Sequence, residues 1–119
     1  MLAGHIYTIA GGGTGLGDGG PALKVRLDIG LSILGDQHGN IVIPGGERVR
    51  VVAAGDATFY GVAMTAGDIY AVAGVGIRGF TGDGGPALKA ALENPQSVAA
   101  DGIGDLVVGD GIRIRQLTH

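Results

Sequence analysis

Short apolar runs, separated by glycine, aspartate and proline, extend along almost the whole chain. Most runs hold about five residues rich in valine and isoleucine, which is the pattern of strands in small antiparallel sheets. The strands predicted from this pattern are residues 5–10, 31–35, 41–43, 49–53, 69–73, 97–100, 106–108 and 112–117. Segments 21–27 and 86–92 begin with proline, which suits a first helical turn, so each predicts one or two turns. We expect residues 58–65 to form another short helical turn or an ordered loop.

The chain repeats its own sequence. Residues 4–11, GHIYTIAG, return as residues 67–74, GDIYAVAG, and residues 17–24, GDGGPALK, return unchanged as residues 82–89. Equivalent residues lie 63 positions apart in the first of these motifs and 65 positions apart from the second motif onward. A fixed period of this kind is the signature of repeat architectures, in which one unit needs its neighbours to bury a core.

Four motifs occur in the same order in both repeats. They are Ile-Tyr-x-[Ile/Val]-Ala-Gly, Gly-Asp-Gly-Gly-Pro-Ala, Asp-x-x-Gly-[Asn/Asp]-[Ile/Leu]-Val-[Ile/Val] and Arg-[Val/Ile]-Arg. In this combination the chain resembles the bacterial NHL-repeat proteins over nearly its whole length. The resemblance implies an all-β fold of β-propeller blades, each a four-stranded antiparallel sheet, in a ring that most often has six blades.

The strand order places one complete blade at residues 31–74 and three strands of a second at residues 97–119. The strand of residues 5–10 has the sequence of an outermost fourth strand. An open arc of sheets leaves exposed edges, whereas a closed ring leaves none. We therefore expect residues 5–10 of one copy to complete the second blade of the next copy. Three copies would form a six-bladed homotrimer with cyclic symmetry, and rings of two or four copies are the alternatives.

Composition narrows the class of protein further. The chain has 119 residues, which suits one small domain, and only 4% are aromatic, so the core must consist of valine, isoleucine, leucine and alanine. A net charge of −3 argues against nucleic acid as a partner. The absence of cysteine excludes disulfides and thiolate metal sites. We read no signal peptide and no membrane-spanning segment in this sequence, and the compartment stays open.

The loops on one face of the expected ring carry the charges that a partner would meet. These loops are residues 14–24, 44–47, 76–89 and 109–112. Their candidate binding residues are Asp18, Glu47, Arg78, Asp83 and Asp110. We expect this face to contact a protein, a peptide or a glycan.

Cofactor and metal chemistry find little support in the sequence. Residues 15–20 and 74–79 match the dinucleotide fingerprint G-x-G-x-x-G, but a chain with 26 glycines produces such matches by chance, and no cofactor is expected. Asp18 and Asp83 are the only carboxylates in their loops, whereas calcium loops supply several, so we expect both residues to shape turns. The three histidines, at positions 5, 38 and 119, predict no metal site.

Alternate residues of a strand point to the same face, so the arginines of each Arg-x-Arg motif share a face. They are Arg48, Arg50, Arg113 and Arg115. We expect these arginines to be solvated or to form ion pairs between blades, with Asp36 and Asp101 as the partners, in preference to a site for an acidic ligand.

Three functional hypotheses follow. The leading one is a non-enzymatic propeller scaffold or binding module, because no residue pattern identifies a catalytic group. The resemblance also implies a second, a propeller lyase or hydrolase with its site at the central channel. The third is a fragment or engineered piece of a longer propeller without an activity of its own.

Overall fold

The computed structural model describes residues 1–15 and 17–119. The fold is all-β, as the strand pattern predicts, and it contains three antiparallel sheets. The strands are β1 (Gly20–Pro21), β2 (Leu34–Gly35), β3 (Ile41–Gly45), β4 (Arg48–Val52), β5 (Ala57–Phe59), β6 (Val62–Met64), β7 (Asp68–Ala73), β8 (Pro95–Ala100), β9 (Leu106–Asp110) and β10 (Arg113–Leu117). Each predicted helical segment reduces to a single 3-10 turn, at Ala22–Lys24 and at Ala87–Lys89. Among the described residues, no helix has the length and apolar character needed to cross a membrane.

The first sheet has the strand order β1-β7-β4-β3-β2. Val51 of β4 lies opposite Val42 of β3 on one side and Tyr70 of β7 on the other. The strand expected at residues 31–35 is shorter, because only its last two residues pair with β3. The amide of Leu31 instead donates to the carbonyl of Gln96 in the second sheet, at 2.7 Å, and so ties the two sheets together.

The second sheet has the strand order β10-β9-β8. Val107 of β9 lies opposite Ala99 of β8 and Gln116 of β10. In the repeat numbering, β9 and β10 are the equivalents of β3 and β4. Within the described residues β10 is an edge strand, whereas β4 lies inside its sheet.

Two apolar clusters form the core. The larger cluster lies between the first and second sheets and includes Val49, Val72, Leu106 and Val108. The smaller cluster contains Ala22, Val25, Ile43, Val52 and Ile69. Because Val52 and Ile69 are cross-strand partners in β4 and β7, this cluster covers the opposite face of the first sheet from the larger one.

Residues 58–65 form a β-hairpin and not the helical turn or loop that the sequence predicts. The strands β5 and β6 pair from Ala57–Met64 to Phe59–Val62. The two turn residues, Tyr60 and Gly61, have φ values of +52° and +77°, as a type I′ turn requires. A left-handed conformation costs a non-glycine residue roughly 1–2 kcal/mol, so another contact must hold Tyr60 there.

Residues 5–10, predicted to be a strand, are not paired with a strand of the described chain. Ile6 is 97% exposed. The next residue, Gly11, donates its amide to the carbonyl of Ala22 at 2.8 Å, and Ala22 belongs to the smaller core cluster. The segment therefore extends from a point that is anchored to the first sheet. It is not a strand here, because no neighbouring strand of the described chain supplies the hydrogen bonds of a sheet.

An aspartate organises the turn between the first two strands of each sheet. The Oδ1 atom of Asp36 accepts hydrogen bonds from the amides of His38 and Asn40, both at 2.9 Å. Asp101 accepts from the amides two and four residues ahead of it in the same way, at 2.9 and 3.0 Å. The prediction that Asp36 and Asp101 pair with arginines is therefore wrong, because both carboxylates are used inside their turns.

The buried side chain of Asn40 gives a test of these turns. Its Oδ1 accepts from the amide of Ala54 at 2.8 Å, and its Nδ2 donates to Asp36 at 3.0 Å. Asn40→Ala removes both hydrogen bonds of a fully buried side chain, one of them to a carboxylate, so we expect the free energy of unfolding to fall by about 2 kcal/mol in chemical denaturation. The control is Asn94→Ala, which removes an exposed bond to Gln96 and should cost less than about 0.5 kcal/mol. Equal losses in the two variants would contradict this account.

Candidate functional site

One arginine of each Arg-x-Arg motif binds the repeated Gly-Asp-Gly-Gly-Pro loop. The guanidinium of Arg50 in β4 lies 2.9 Å from Oδ1 of Asp18. The guanidinium of Arg115 in β10 lies 3.1 Å from Oδ1 of Asp83. The two ion pairs are repeat equivalents, and they hold the two loops in equivalent positions beside β4 and β10.

In the first sheet, β7 lies between this loop and β4. The loop amides of Gly19 and Ala22 donate to the carbonyls of Ile69 and Gly67, at 2.7 and 3.0 Å. On its other edge, β7 forms the ladder with β4. The fourth strand of the first sheet is therefore hydrogen-bonded on both edges.

The Arg50–Asp18 ion pair joins the two elements that flank β7. Arg50 lies opposite Ala71, whose methyl side chain leaves room for a guanidinium to pass over the strand. The side chain of Arg50 is only 11% exposed. Because Asp18 belongs to the loop on the far edge of β7, the pair closes one side of the space that β7 fills.

In the second sheet no described strand lies between the loop and β10. Among the described residues, no hydrogen bond engages the amides of Gly84 and Ala87, which are the equivalents of Gly19 and Ala22. The two elements that would flank a fourth strand, β10 and the loop of residues 82–87, are both present, and the Arg115–Asp83 ion pair connects them.

A cavity of about 380 Å³ opens at this position. Its apolar lining includes Ala87, Ala90, Val108 and Leu117. Their repeat equivalents are Ala22, Val25, Ile43 and Val52, which with Ile69 form the smaller core cluster. Ile69 is 0% exposed, so the cavity occupies the place of an isoleucine in a fourth strand. The residue 63 positions before Ile69 is Ile6.

The N-terminal segment already has the local bonds of the residues that enter β7. The amide of Leu2 donates to the hydroxyl oxygen of Tyr7 at 3.1 Å, as the amide of Thr65 does to Tyr70 at 2.8 Å. The amide of His5 donates to the carbonyl of Leu2 at 3.2 Å, and the amide of Asp68 donates to the carbonyl of Thr65 at 3.1 Å. The segment is therefore folded like β7 without being paired like it.

Of the five predicted binding residues, Asp110 is fully buried. Its Oδ1 accepts from the amides of Glu93 and Asn94, at 2.7 and 2.9 Å, and its Oδ2 lies 3.4 Å from Arg115. The structure brings Asp110 and Asp83 together on one arginine. Asp110 thus fixes the chain that enters the second sheet.

The other predicted residues lie in three different settings. Asp18 and Asp83 carry the two loop ion pairs. Arg78 is exposed and lies 4.0 Å from Glu93, at the limit of an ion pair. Glu47 occupies a turn at φ +57°. Of the five, Arg78 and Glu47 are the ones not engaged in a short ion pair or a buried hydrogen bond among the described residues.

A second cavity, of about 480 Å³, lies near the aspartate turns and the β5–β6 hairpin. Its lining includes Asp36, His38, Phe59, Tyr60, Asp101 and His119. The hydroxyl of Tyr60 donates to Oδ2 of Asp36 at 2.7 Å, and this bond holds the left-handed hairpin turn. Since both oxygens of Asp36 already accept two bonds, this carboxylate serves the fold.

These contacts shift three pKa values. Burial raises the pKa of Asp36, but the hydrogen bonds from Tyr60, Asn40 and the amide of His38 outweigh it and hold that pKa below its usual range. Burial and the bond to Asp36 raise the pKa of Tyr60. The pKa of Asp105 is lowered, first by the hydrogen bond from the side chain of His119. Within residues 1–15 and 17–119, no three histidines or carboxylates are grouped so as to hold a metal ion.

No protein-family model, curated protein or solved structure matches the chain. The resemblance to NHL-repeat proteins therefore stays a prediction, and the internal repeat is the basis for interpreting the site. Sequence reasoning identified the segment 5–10 but missed the walls of the cavity. The binding residues predicted from sequence are charged, whereas the residues that correspond to the surroundings of Ile69 are apolar. Adding 65 to the numbers of Ala22, Val25 and Val52, which pack with Ile69, identifies Ala87, Ala90 and Leu117.

Tyr60→Phe tests the bond at the second cavity. The lowered pKa of Asp36 contributes stability that is present above the unfolded carboxyl pKa, about 3.9, and is lost as the pH falls through the folded value. We therefore expect Tyr60→Phe to cost about 1.5 kcal/mol near pH 7 and progressively less below pH 4, measured by denaturation across pH. Tyr70→Phe, which loses an exposed bond to Thr65, should show no such trend. A pH-independent cost of Tyr60→Phe would refute the assignment.

Proposed function

We propose that the protein is a non-enzymatic scaffold of the β-propeller type that completes its second sheet by associating with further copies of itself. The observation that supports this proposal is the open edge of β10, which faces the loop of residues 82–87 across the 380 Å³ cavity. Every part of a four-stranded blade is present there except its outermost strand. An exposed strand edge of this kind is a ready template for pairing with another chain.

The exposed face of the second sheet supports the same proposal. Ile114 of β10 is 82% exposed, whereas its equivalent in β4, Val49, is 0% exposed against the second sheet. Burying an aliphatic side chain of this size is worth roughly 1.5–3 kcal/mol. A third sheet, supplied by another copy, would cover Ile114 as the second sheet covers Val49.

A ring of three copies satisfies both requirements at once. Counting the first and second sheets of each chain as one blade each, three chains supply the six blades that the resemblance to NHL-repeat proteins implies. In a cyclic head-to-tail ring, each open edge and each exposed face meets the next copy. The assembly would present Glu47 and Arg78 on its loop face for a protein, peptide or glycan partner. Asp18, Asp83 and Asp110 would hold the loops that carry them.

Light scattering on the purified chain tests the proposal. We expect a mass three times the 11.8 kDa of one chain, falling toward the single-chain value on dilution. Hydrogen exchange provides a second measurement. In the first sheet, β7 and the residue before it accept hydrogen bonds from the amides of Gly19, Ala22 and Ala53. The equivalent amides beside the cavity are those of Gly84, Ala87 and Thr118. We expect these amides to be protected in the assembly and to exchange rapidly on dilution.

The amide of Gly30 serves as the control for exchange. It donates to the carbonyl of Pro44 within the first sheet at 2.7 Å, so its protection should depend much less on concentration. A mass of one chain at every concentration, with Gly84, Ala87 and Thr118 exchanging freely, would overturn the proposal.

A further inference from the structure

We infer that the cavity beside β10 is a binding site for Ile6 of a second copy, and that residues 4–10 of that copy insert between β10 and the loop of residues 82–87 in one antiparallel register. This inference rests on the proposed function and identifies the contact that produces the assembly. The partner is another copy of this chain, because the chain itself carries a segment equivalent to β7.

The repeat specifies the register. In the first sheet, Ile69 lies opposite Val52 and Ala71 lies opposite Arg50. Moving β7 back by 63 positions and β4 forward by 65 gives the corresponding pairs between two copies. They are Ile6–Leu117, Tyr7–Gln116, Thr8–Arg115 and Ala10–Ile114.

Ile6 is an exposed apolar side chain, and the cavity contains the repeat equivalents of the residues that bury Ile69. Ile6 is 97% exposed in the single chain, whereas its equivalent Ile69 is 0% exposed. Ile69 is buried with Ala22 and Val25 from the loop side and with Ile43 and Val52 from the sheet. The equivalent residues at the cavity, Ala87, Ala90, Val108 and Leu117, are all apolar, while Arg115, Gln116 and Thr118 line its polar side. Transferring the exposed isoleucine into this space removes apolar surface from water on both partners.

The backbone around the cavity is prepared for the same strand. The amides of Gly84 and Ala87 would donate to the carbonyls of Ile6 and Gly4 of the second copy, as their equivalents do to Ile69 and Gly67. The Arg115–Asp83 pair already holds the loop in position. Thr8, opposite Arg115, is a small residue like Ala71, which lies opposite Arg50 in the first sheet, so it leaves room for the Arg115–Asp83 pair.

The inserted segment requires little ordering. Its tyrosine bond and its entry turn match those before β7, and Gly4 has φ +76° where Gly67 has φ +83°. Preorganisation of this kind reduces the entropic cost of binding. Because Gly11 is anchored to Ala22 in the smaller core cluster, the segment projects away from the first sheet of its own chain and is available to a neighbour.

Disulfide trapping tests the partner and the register together, since the chain has no cysteine of its own. The amide of Ala53 bonds to Asp68, so the next pair, Val52–Ile69, is of the non-hydrogen-bonded type, with Cα atoms about 4.5 Å apart. Its equivalent is Ile6–Leu117. We expect a mixture of the single variants Ile6→Cys and Leu117→Cys to form a disulfide-linked pair of chains on mild oxidation, seen by non-reducing electrophoresis and mass spectrometry.

The register control mixes Ile6→Cys with Gln116→Cys. A shift of one residue turns the side chain to the opposite face of the sheet, so this pair should not link. If light scattering shows an assembly but Ile6 links to Gln116 and not to Leu117, the inference is overturned while the proposed function stands. If the mass is that of one chain and no link forms, both are overturned.

A substitution that leaves the single chain intact gives an independent readout. Ile6→Asp introduces a charge at a solvent-exposed position, so the chain should fold normally by circular dichroism. We expect its dissociation constant for assembly to rise at least tenfold. The matched control is Ile112→Glu, which also replaces an exposed isoleucine by an acid and reproduces the Glu47 of the first repeat. Equal effects of the two substitutions on assembly would overturn the role of Ile6.

Discussion

The hydrogen bonds on both edges of β7, the fourth strand, are the constraint on which the first sheet depends. In the first sheet, β4 satisfies one edge of β7 and the loop amides of Gly19 and Ala22 satisfy the other. The burial of Ile69 supplies the apolar gain, while the Arg50–Asp18 pair positions the loop. Isolated ion pairs near a surface contribute little stability, so the main effect of this pair is geometric. The second sheet has the same loop and the same ion pair without the strand.

The strand pattern could be predicted because it depends on local sequence. Runs of valine and isoleucine between glycines mark β3, β7 and β9 closely, and the period predicts two sheets of one kind. The hairpin could not be predicted in this way. Its turn has tyrosine where asparagine is usual. Tyr60 is held by the hydrogen bond that its hydroxyl donates to Asp36, 24 residues away. A tertiary contact of this kind leaves no local signal.

The site was harder to predict than the fold because its chemistry is apolar. Charge alternation places the arginines of each motif on one face; Arg50, Arg113 and Arg115 form ion pairs there, whereas Arg48 donates to the carbonyl of Val75. The alternation cannot choose between Asp36 and Asp18 as the partner of Arg50, since both repeat with the same 65-residue offset. The structure decides in favour of Asp18 because both oxygens of Asp36 are already used in its turn. Predicting the cavity from sequence is harder still, because it requires the residues around Ile69 to be known before their equivalents around Ile6 can be inferred.

The differences between the two repeats support a retained role for that cavity. At the turn, buried Asn40 is replaced by Asp105, and the new carboxylate is compensated by the amide and side chain of His119 and by Gln116. Polar positions have therefore changed together with their partners. Around Ile69, the replacements exchange one apolar residue for another, since Val25, Ile43 and Val52 correspond to Ala90, Val108 and Leu117, and Ile6 itself matches Ile69. The apolar character of the four positions equivalent to those around Ile69 is what a site that buries an isoleucine requires.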